Sequence, residues 1–308
     1  MLSGLLLAGV AWLCAGRIDL QIIGGKLASV DPLVASLAFV LLLAFSPFNA
    51  YRLKSVAAWV AGARLSYLAL VRVTCIGYFV AAAAPIGLLG DVAKVGLMRP
   101  ATGLTWRSAI QSVFSDRASG AVFVACLGVL LLPLRLMLGA SAAALRVEAA
   151  VFLLVLGGTA ALVLVPPRLA GPGSRFREAI GSLLAALARL FADTRRIAAQ
   201  LAFASANLLL MLGVIFLLAR GLAIPVDALQ LVQFVPVIML VSSLPLLYLG
   251  WGGREMIMVS TIGSLPGVSA NDALSLAISI GGLGMLAALP NGLFLLTGWQ
   301  RKPQTRTP

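Results

Sequence analysis

Histidine is absent from the 308-residue chain. This absence excludes catalytic triads built on histidine, histidine metal sites and histidine proton relays. Cysteine is scarce, and Cys14, Cys75 and Cys126 show no CxxC spacing, so neither a disulfide framework nor a zinc site is expected. A glycine-rich P-loop for nucleotide phosphates is also missing. We therefore expect no metal and no cofactor.

Charged residues are few. They make up 11% of the chain, whereas hydrophobic residues make up 61% and the mean hydropathy is +1.06. Soluble domains carry about 25% charged residues, so the composition predicts an integral membrane protein. The 23 Lys and Arg outnumber the 10 Asp and Glu and give a net charge of +13. In so apolar a chain we expect this excess in loops beside anionic lipid and not in a nucleic-acid groove.

Eight apolar stretches predict membrane helices, because a hydrocarbon layer of about 30 Å takes roughly 20 helical residues to cross. They are Leu2–Ala15, Pro32–Ala50, Tyr67–Leu89, Ala118–Leu138, Ala149–Val165, Leu201–Ala219, Ala228–Leu249 and Ala273–Gly298. The first lacks a preceding basic region and is expected to be a retained span, not a signal peptide. The pattern predicts an all-α polytopic membrane protein.

Two of these stretches run into a Pro/Gly break followed by charged residues. The breaks are Pro85–Lys94 and Pro245–Glu255. Irregular backbone at membrane depth is tolerated only where protein covers it or where it lines a cavity. We therefore expect two re-entrant helical hairpins, over about 67–106 and 228–268, which leaves about six full spans. With these hairpins, most Lys and Arg fall on one face of the membrane, and both termini are expected to be cytoplasmic.

The two breaks also indicate an internal repeat. A single shift carries Pro85 onto Pro245, Gly90 onto Gly250 and the stretch Ala118–Leu138 into the last span. Each half then holds two spans, a broken hairpin and a further span, with corresponding spans in opposite directions. This is an inverted-topology repeat, and we predict membrane halves over 1–148 and 149–308.

The longest polar link, within 166–200, predicts a cytoplasmic amphipathic helix. Apolar side chains recur at helical spacing from Phe176 to Ile197, while basic residues occupy the other side. We expect this helix to lie along the lipid headgroups.

Charged residues near the breaks are the candidate site, since a charge within the membrane costs a few kcal/mol even on lenient scales. Lys94 and Arg254 are expected to bind an anionic headgroup such as a lipid phosphate. The exposed backbone N–H groups of two half-helices, which begin near Gly90 and near Gly252 and Gly253, are expected to assist them.

Asp91, Glu255 and Arg72 form a second group for which two interpretations remain open. In one, Asp91 pairs with Arg254 or Lys94 and Glu255 pairs with Arg72, which fastens the hairpins together. In the other, Asp91 and Glu255 carry protons, because a chain without histidine offers no other carrier near the midplane.

Asp116 and Arg117 end a polar run just before a predicted span. They are candidates for the lining of a cytoplasmic mouth. A charged pair at a membrane boundary more often serves as a topology anchor, and that interpretation is favoured.

Three motifs in order carry a family resemblance. The first is the run from Pro85 through Gly90 and Asp91 to Lys94, the second leads from Gly103-Leu104-Thr105 to Asp116-Arg117-x-x-Gly120, and the third is Gly250-x-Gly252-Gly253-Arg254-Glu255. With them the chain resembles the lysylphosphatidylglycerol synthase transmembrane region, the flippase-like module of the multiple peptide resistance factor. Lys94 stands where that family more often has arginine.

The resemblance implies that the chain handles a lipid between leaflets of the bacterial inner membrane. The expected partners are an anionic phospholipid or an isoprenoid- or hopanoid-linked lipid, and a lipid-synthesis enzyme. Because the chain stops at Pro308, we expect no soluble aminoacyl-transferase domain, and an enzyme is not the favoured interpretation. The alternative function is a membrane-embedded subunit of a lipid-modifying enzyme, or a scaffold for lipid or glycolipid synthesis.

Overall fold

The structure is a computed structural model that describes residues 20–84, 88–139, 142–164, 175–242 and 253–296. The regular elements in these residues are helical. They are α1 (Leu20–Ala28), α2 (Pro32–Ala61), α3 (Tyr67–Ala83), α4 (Leu88–Thr102), α5 (Trp106–Met137), α6 (Ala142–Leu164), α7 (Arg175–Ala188), α8 (Thr194–Gly221), α9 (Ala228–Val232), α10 (Val235–Ser242), α11 (Gly253–Thr261) and α12 (Ala270–Gly292), with 3₁₀ turns at Ile262–Ser264 and Leu293–Leu295. The predicted span Leu2–Ala15 lies outside the described residues.

Among the described residues, four helices are long and apolar enough to cross a membrane, namely α2, α5, α8 and α12 with its extension to Leu295. The helix α3 and parts of α6 and α7 are apolar but shorter. The all-α membrane class predicted from composition is confirmed. The number of full spans remains a prediction, as do the halves 1–148 and 149–308, whose boundary falls inside α6.

Two long helices extend well beyond their predicted apolar stretches. The helix α2 continues to Ala61 and ends where Gly62 adopts a left-handed φ of 67°. The helix α5 already begins at Trp106, because the Thr105 hydroxyl accepts a hydrogen bond from the backbone N–H of Ser108 and caps the first turn. Backbone conformation and capping set these two helix ends, and the limits of the apolar stretches do not.

The helices α3 and α4 form an antiparallel hairpin around residues 85–87, which lie outside the described residues. Glycines let the two backbones approach closely, since a Cβ at Gly90 would lie 2.5 Å from the carbonyl oxygen of Gly77 and 2.6 Å from Cβ of Ala81. Nearer the open end, Leu70 and Met98 are fully buried in one apolar cluster.

The helices α10 and α11 flank residues 243–252 of the second predicted hairpin, and those residues lie outside the described part of the chain. Ile238 of α10 and Met258 of α11 are fully buried. Both belong to the main apolar core, together with Leu218 of α8 and Leu276 of α12. The short arms are therefore held by the long helices.

The helices α2 and α8 cross in an antiparallel arrangement. The end of α8 lies against the start of α2, because a Cβ at Gly221 would meet Cγ1 of Val34 at 3.1 Å. Farther along, Asn49 of α2 and Asn207 of α8 exchange two amide hydrogen bonds of 3.4 and 3.2 Å. The two helices run side by side between these points.

The amphipathic helix is shorter than predicted. It covers Arg175–Ala188, whereas Ile197 belongs to α8. The Asp193 side chain accepts a hydrogen bond from the backbone N–H of Arg195 and starts that new helix. The predicted single helix from Phe176 to Ile197 is therefore wrong. Leu187 at the end of α7 is buried against α2 and α5, so part of its apolar face covers protein.

Candidate functional site

A cavity of about 900 Å³, the larger cavity, lies where parts of both hairpins meet three long helices. The start of α4 and the end of α10 contribute to its wall, and further lining residues come from α2, α3, α5 and α8. Its polar lining residues are Asn49, Arg52, Tyr78, Asp91, Arg117, Asn207 and Ser242. A mostly apolar wall with a few converging polar groups is the usual character of a ligand site.

Asp91 is the centre of an ion-pair network at this cavity. It lies in the first turn of α4, where a carboxylate favours the positive end of the helix dipole. Its Oδ2 accepts a hydrogen bond of 2.6 Å from Nε of Arg117, and its Oδ1 lies 3.4 Å from Nζ of Lys94. Asp91 is 8% exposed, so both cations offset the cost of burying its charge.

Lys94 is buried within the first hairpin, and it is not among the described residues that line the two cavities. Its ammonium lies 4.8 Å from the centre of the Tyr78 ring, which is a cation–π contact. Gly77 makes room for its side chain, since a Cβ there would lie 2.5 Å from Cγ of Lys94. Lys94 therefore contacts Asp91 and Tyr78, which line the larger cavity, without lining the cavity itself.

Arg52 and Asp116 form a second ion pair at the larger cavity. Nη2 of Arg52 donates to Oδ2 of Asp116 over 2.9 Å, and both side chains are largely buried. A Cβ at Gly120 would lie 2.6 Å from Nη1 of Arg52, so this glycine lets the guanidinium lie against α5. Asp116 and Arg117 lie about three turns inside α5, and each bonds a different helix.

A smaller cavity of about 340 Å³ is lined by the other arms of the two hairpins, α3 and α11. Ala81 and Ala82 near the end of α3 line it, and so does Arg254 at the start of α11. The remaining wall comes from α2, α8 and α12. Arg254 is the charged residue among the described residues that line this cavity.

Arg254 and Glu255 begin the second arm of the second hairpin. Nη2 of Arg254 donates to Oε1 of Glu255 over 3.0 Å, and both side chains are buried. Glu255 lies in the first turn of α11, as Asp91 does in α4. Each hairpin thus has a carboxylate at the start of its second arm with a cation bound to it.

Phe45 and Tyr78 line both cavities. Phe45 comes from the middle of α2, and Tyr78 from α3. These two aromatic residues therefore form a common boundary between the cavities.

The structure brings three of the predicted site residues together, namely Asp91, Lys94 and Arg117. Of the two partners considered for Asp91, Lys94 is within 3.4 Å, whereas Arg254 lines the other cavity. Arg72 lies partly buried in the first half of α3.

The predicted glycines differ in what the structure describes. Gly90 packs against α3, and Gly253 is the buried first residue of α11. Gly252 lies outside the described residues. Headgroup binding by any of the predicted site residues remains a prediction.

Sequence reasoning missed Arg52, Tyr78 and Asn49. Arg52 follows an apolar stretch and looks like a loop charge, and Tyr78 stands inside an apolar run. In the described part of the chain, no three Cys, Asp or Glu side chains are grouped as a metal ion would require. Asp91 and Asp116 are engaged by basic side chains instead.

Comparison with known families gives one match. The family model described as "Lysylphosphatidylglycerol synthase TM region" matches residues 1–290. This range contains all three sequence motifs and every described lining residue of both cavities except Asn291. A comparison with curated proteins finds no match.

Proposed function

The chain belongs to the lysylphosphatidylglycerol synthase TM region family, and on this basis we propose that it moves an anionic, phosphate-bearing lipid between the leaflets of the bacterial inner membrane. One observation carries the proposal. The second arm of the first hairpin and the first arm of the second supply most of the hairpin residues that line the larger cavity, and the other two arms line the smaller one. Tyr78 of the first arm lines both cavities. Two cavities that each combine one arm of the first hairpin with one arm of the second suit a substrate that must be reached from either leaflet.

The hairpins are proposed to be re-entrant. Within the described residues, the arms α3 and α4 hold 17 and 15 residues, and α10 and α11 hold 8 and 9. Each is shorter than the roughly 20 residues that a span requires. Short arms are tolerated at membrane depth where protein covers them or where they line a cavity.

The two halves are proposed to form an inverted repeat about α2 and α8. These helices are antiparallel, and they meet at Asn49 and Asn207, which are 158 positions apart. Each amide donates to the other, as equivalent residues do across a two-fold axis. In this arrangement α3 and α4 correspond to α10 and α11, and α5 corresponds to α12. Both termini are then proposed to be cytoplasmic.

The headgroup is proposed to bind Arg117 and Arg52 in the larger cavity and Arg254 in the smaller one. A guanidinium suits a phosphate because its planar N–H groups bond two oxygens at once. Each of these arginines already bonds a carboxylate, so the lipid phosphate competes with that carboxylate for the guanidinium. Asp91 and Glu255 are the proposed proton carriers if transport is coupled to protons.

A reconstitution assay tests the proposal. Purified protein in liposomes with fluorescent phosphatidylglycerol should speed leaflet exchange, measured by quenching the outer leaflet with an impermeant reductant. The double variant Arg117→Gln/Arg254→Gln should lose most of this exchange, because the larger cavity keeps only Arg52 of its two arginines and the smaller cavity loses Arg254. Arg107→Gln is the matched control, since Arg107 is an exposed arginine of α5. Equal exchange in wild-type, double-variant and protein-free liposomes would sink the proposal.

The alternative functions have less support. A scaffold that recruits a lipid-synthesis enzyme through the amphipathic helix needs a free apolar face. Ala186, Leu187 and the following Leu190 are instead buried against α2 and α5. An enzyme subunit would be indicated by a lipid product of changed mass after incubation with candidate lipids.

A further inference from the structure

We propose that Tyr78, together with Phe45, is a gate between the two cavities and that Lys94 holds it closed. The inference rests on the proposed function, because a gate matters only if a headgroup passes from one cavity to the other. Its structural basis is that these two residues line both cavities. A headgroup that crosses this shared boundary displaces one of the two rings.

The Tyr78 ring is held from behind by Lys94. The ammonium lies 4.8 Å from the ring centre, inside the range of a cation–π contact, and burial strengthens such contacts. The side chain reaches that position only because Gly77 has no Cβ. Lys94 is thus a positioning residue for the ring, and it is not expected to be a headgroup ligand.

The same lysine is connected to the headgroup site through Asp91. Asp91 bonds Arg117 at 2.6 Å and lies farther from Lys94, at 3.4 Å. A phosphate that binds Arg117 competes with Asp91 for that guanidinium. Asp91 then satisfies its charge by drawing Lys94 closer, which takes the ammonium away from the Tyr78 ring. The gate is loosened when the larger cavity is occupied.

The gate is tested by one-sided labelling of introduced cysteines in membrane vesicles. Cys14, Cys75 and Cys126 are first replaced by alanine. Ala121→Cys reports the larger cavity and Ala288→Cys the smaller one, since each residue lines the named cavity. A charged, impermeant thiol reagent is added on the side that labels Ala121→Cys.

With Tyr78 in place, Ala288→Cys should stay unlabelled from that side. With Tyr78→Ala added, Ala288→Cys should be labelled about tenfold faster. A tenfold change corresponds to the loss of roughly 1.4 kcal/mol of the interaction that keeps the ring in place. Lys94→Met should act in the same direction, whereas Tyr78→Phe and Lys94→Arg should keep the gate closed. Tyr67→Ala is the matched control, because Tyr67 is on the same helix but is not among the residues lining either cavity.

Equal labelling of Ala288→Cys with and without the Tyr78 ring would overturn the gate. The proposal would also be overturned if Ala288→Cys were labelled as slowly with Lys94→Met as with Lys94→Arg. Lipid exchange measured on the same variants separates the two proposals. Ring-dependent labelling without lipid exchange supports the gate and removes the proposed function, and lipid exchange with ring-independent labelling does the reverse.

Discussion

Arg117 donates from Nε to Oδ2 of Asp91 over 2.6 Å, and this bond joins the first turn of α4 to the middle of α5. The Arg117 side chain is 46% exposed, whereas that of Lys94, the other partner of Asp91, is 11% exposed. The two cations differ in what they lose without Asp91. Arg117 is still solvated from the cavity, and Lys94 is left as a buried charge.

Replacing Asp91 by asparagine is therefore expected to destabilise the first hairpin through Lys94. A broken buried pair costs about 3–5 kcal/mol, and partial exposure of Arg117 screens its share. We expect the free energy of unfolding in detergent to fall by about 2–3 kcal/mol. Denaturant unfolding of purified Asp91→Asn measures it.

The control for this prediction is Glu178→Gln. Glu178 also lies in the first turn of a helix, α7, but it is exposed. Its replacement should change the free energy of unfolding by less than about 0.5 kcal/mol. Adding Lys94→Met to Asp91→Asn should recover part of the loss. The same unfolding midpoint for Asp91→Asn and Glu178→Gln would contradict the pairing.

Gly90 and Gly96 provide a direct comparison of packing within α4. A Cβ at Gly90 would meet the backbone of Gly77 at 2.5 Å, whereas a Cβ at Gly96 meets nothing within 4 Å. Gly90→Ala is expected to cost about 1–3 kcal/mol as overpacking. Gly96→Ala is expected to be neutral or to gain up to about 1 kcal/mol, since alanine favours helix. Thermal unfolding of both variants measures the difference. Equal midpoints for Gly90→Ala and Gly96→Ala would show that the hairpin is loosely packed at Gly90.

The helices were predictable where apolar residues run long enough to cross a membrane. Their ends were not, because α2 continues past Arg52 to Ala61 and α5 begins at Trp106. A helix needs only satisfied backbone groups at its ends, so it can project beyond the apolar layer with polar side chains. The predicted amphipathic helix was too long for a related reason. The Asp193 cap starts a new helix, and the spacing of the apolar residues gives no sign of this break.

The site was predictable only where its residues are close in sequence. The spacing of Asp91 and Lys94 places both on one helix face, and the structure has them 3.4 Å apart. Arg52 reaches Asp116 from another helix, and Tyr78 lines two cavities within an apolar run. Such contacts depend on how distant helices pack, and no local pattern in the sequence encodes that.

The amide pair Asn49 and Asn207 makes a prediction about coupling between the halves. Each single alanine variant leaves the other amide without its partner at 3.2–3.4 Å. The double variant should therefore lose less than the sum of the singles, with a coupling energy of about 0.6 kcal/mol, as is usual for interhelical hydrogen bonds in membranes. Unfolding of all three variants gives this value.

The matched control for that cycle pairs Asn49→Ala with Ser279→Ala. Ser279 donates to the carbonyl of Ser275 in its own helix, so these two changes should add within about 0.5 kcal/mol. A coupling energy for Asn49 and Asn207 no larger than that of this control would remove the support that the pair gives to a two-fold relation between α2 and α8.

Arg135 and Glu148 form a buried ion pair between α5 and α6, with side chains only 7% and 8% exposed. The Arg135 guanidinium also lies 4.4 Å from the centre of the Phe234 ring, just before α10. Nε of Arg135 and Oε2 of Glu148 are buried without a hydrogen-bond partner. Such a pair is costly to break but contributes little over an apolar pair of the same size.

Glu148→Gln should consequently lower the free energy of unfolding by about 3 kcal/mol, because it leaves Arg135 as an unpaired buried charge. The double variant Arg135→Met/Glu148→Leu should unfold within about 1 kcal/mol of the wild type or above it. Glu178→Gln, at an exposed glutamate of α7, makes the same change in net charge and is the control. Unfolding in detergent measures all three. If the double variant is less stable than Glu148→Gln, the pair contributes more than its burial costs, and the contacts to Phe234 are the place to look for that energy.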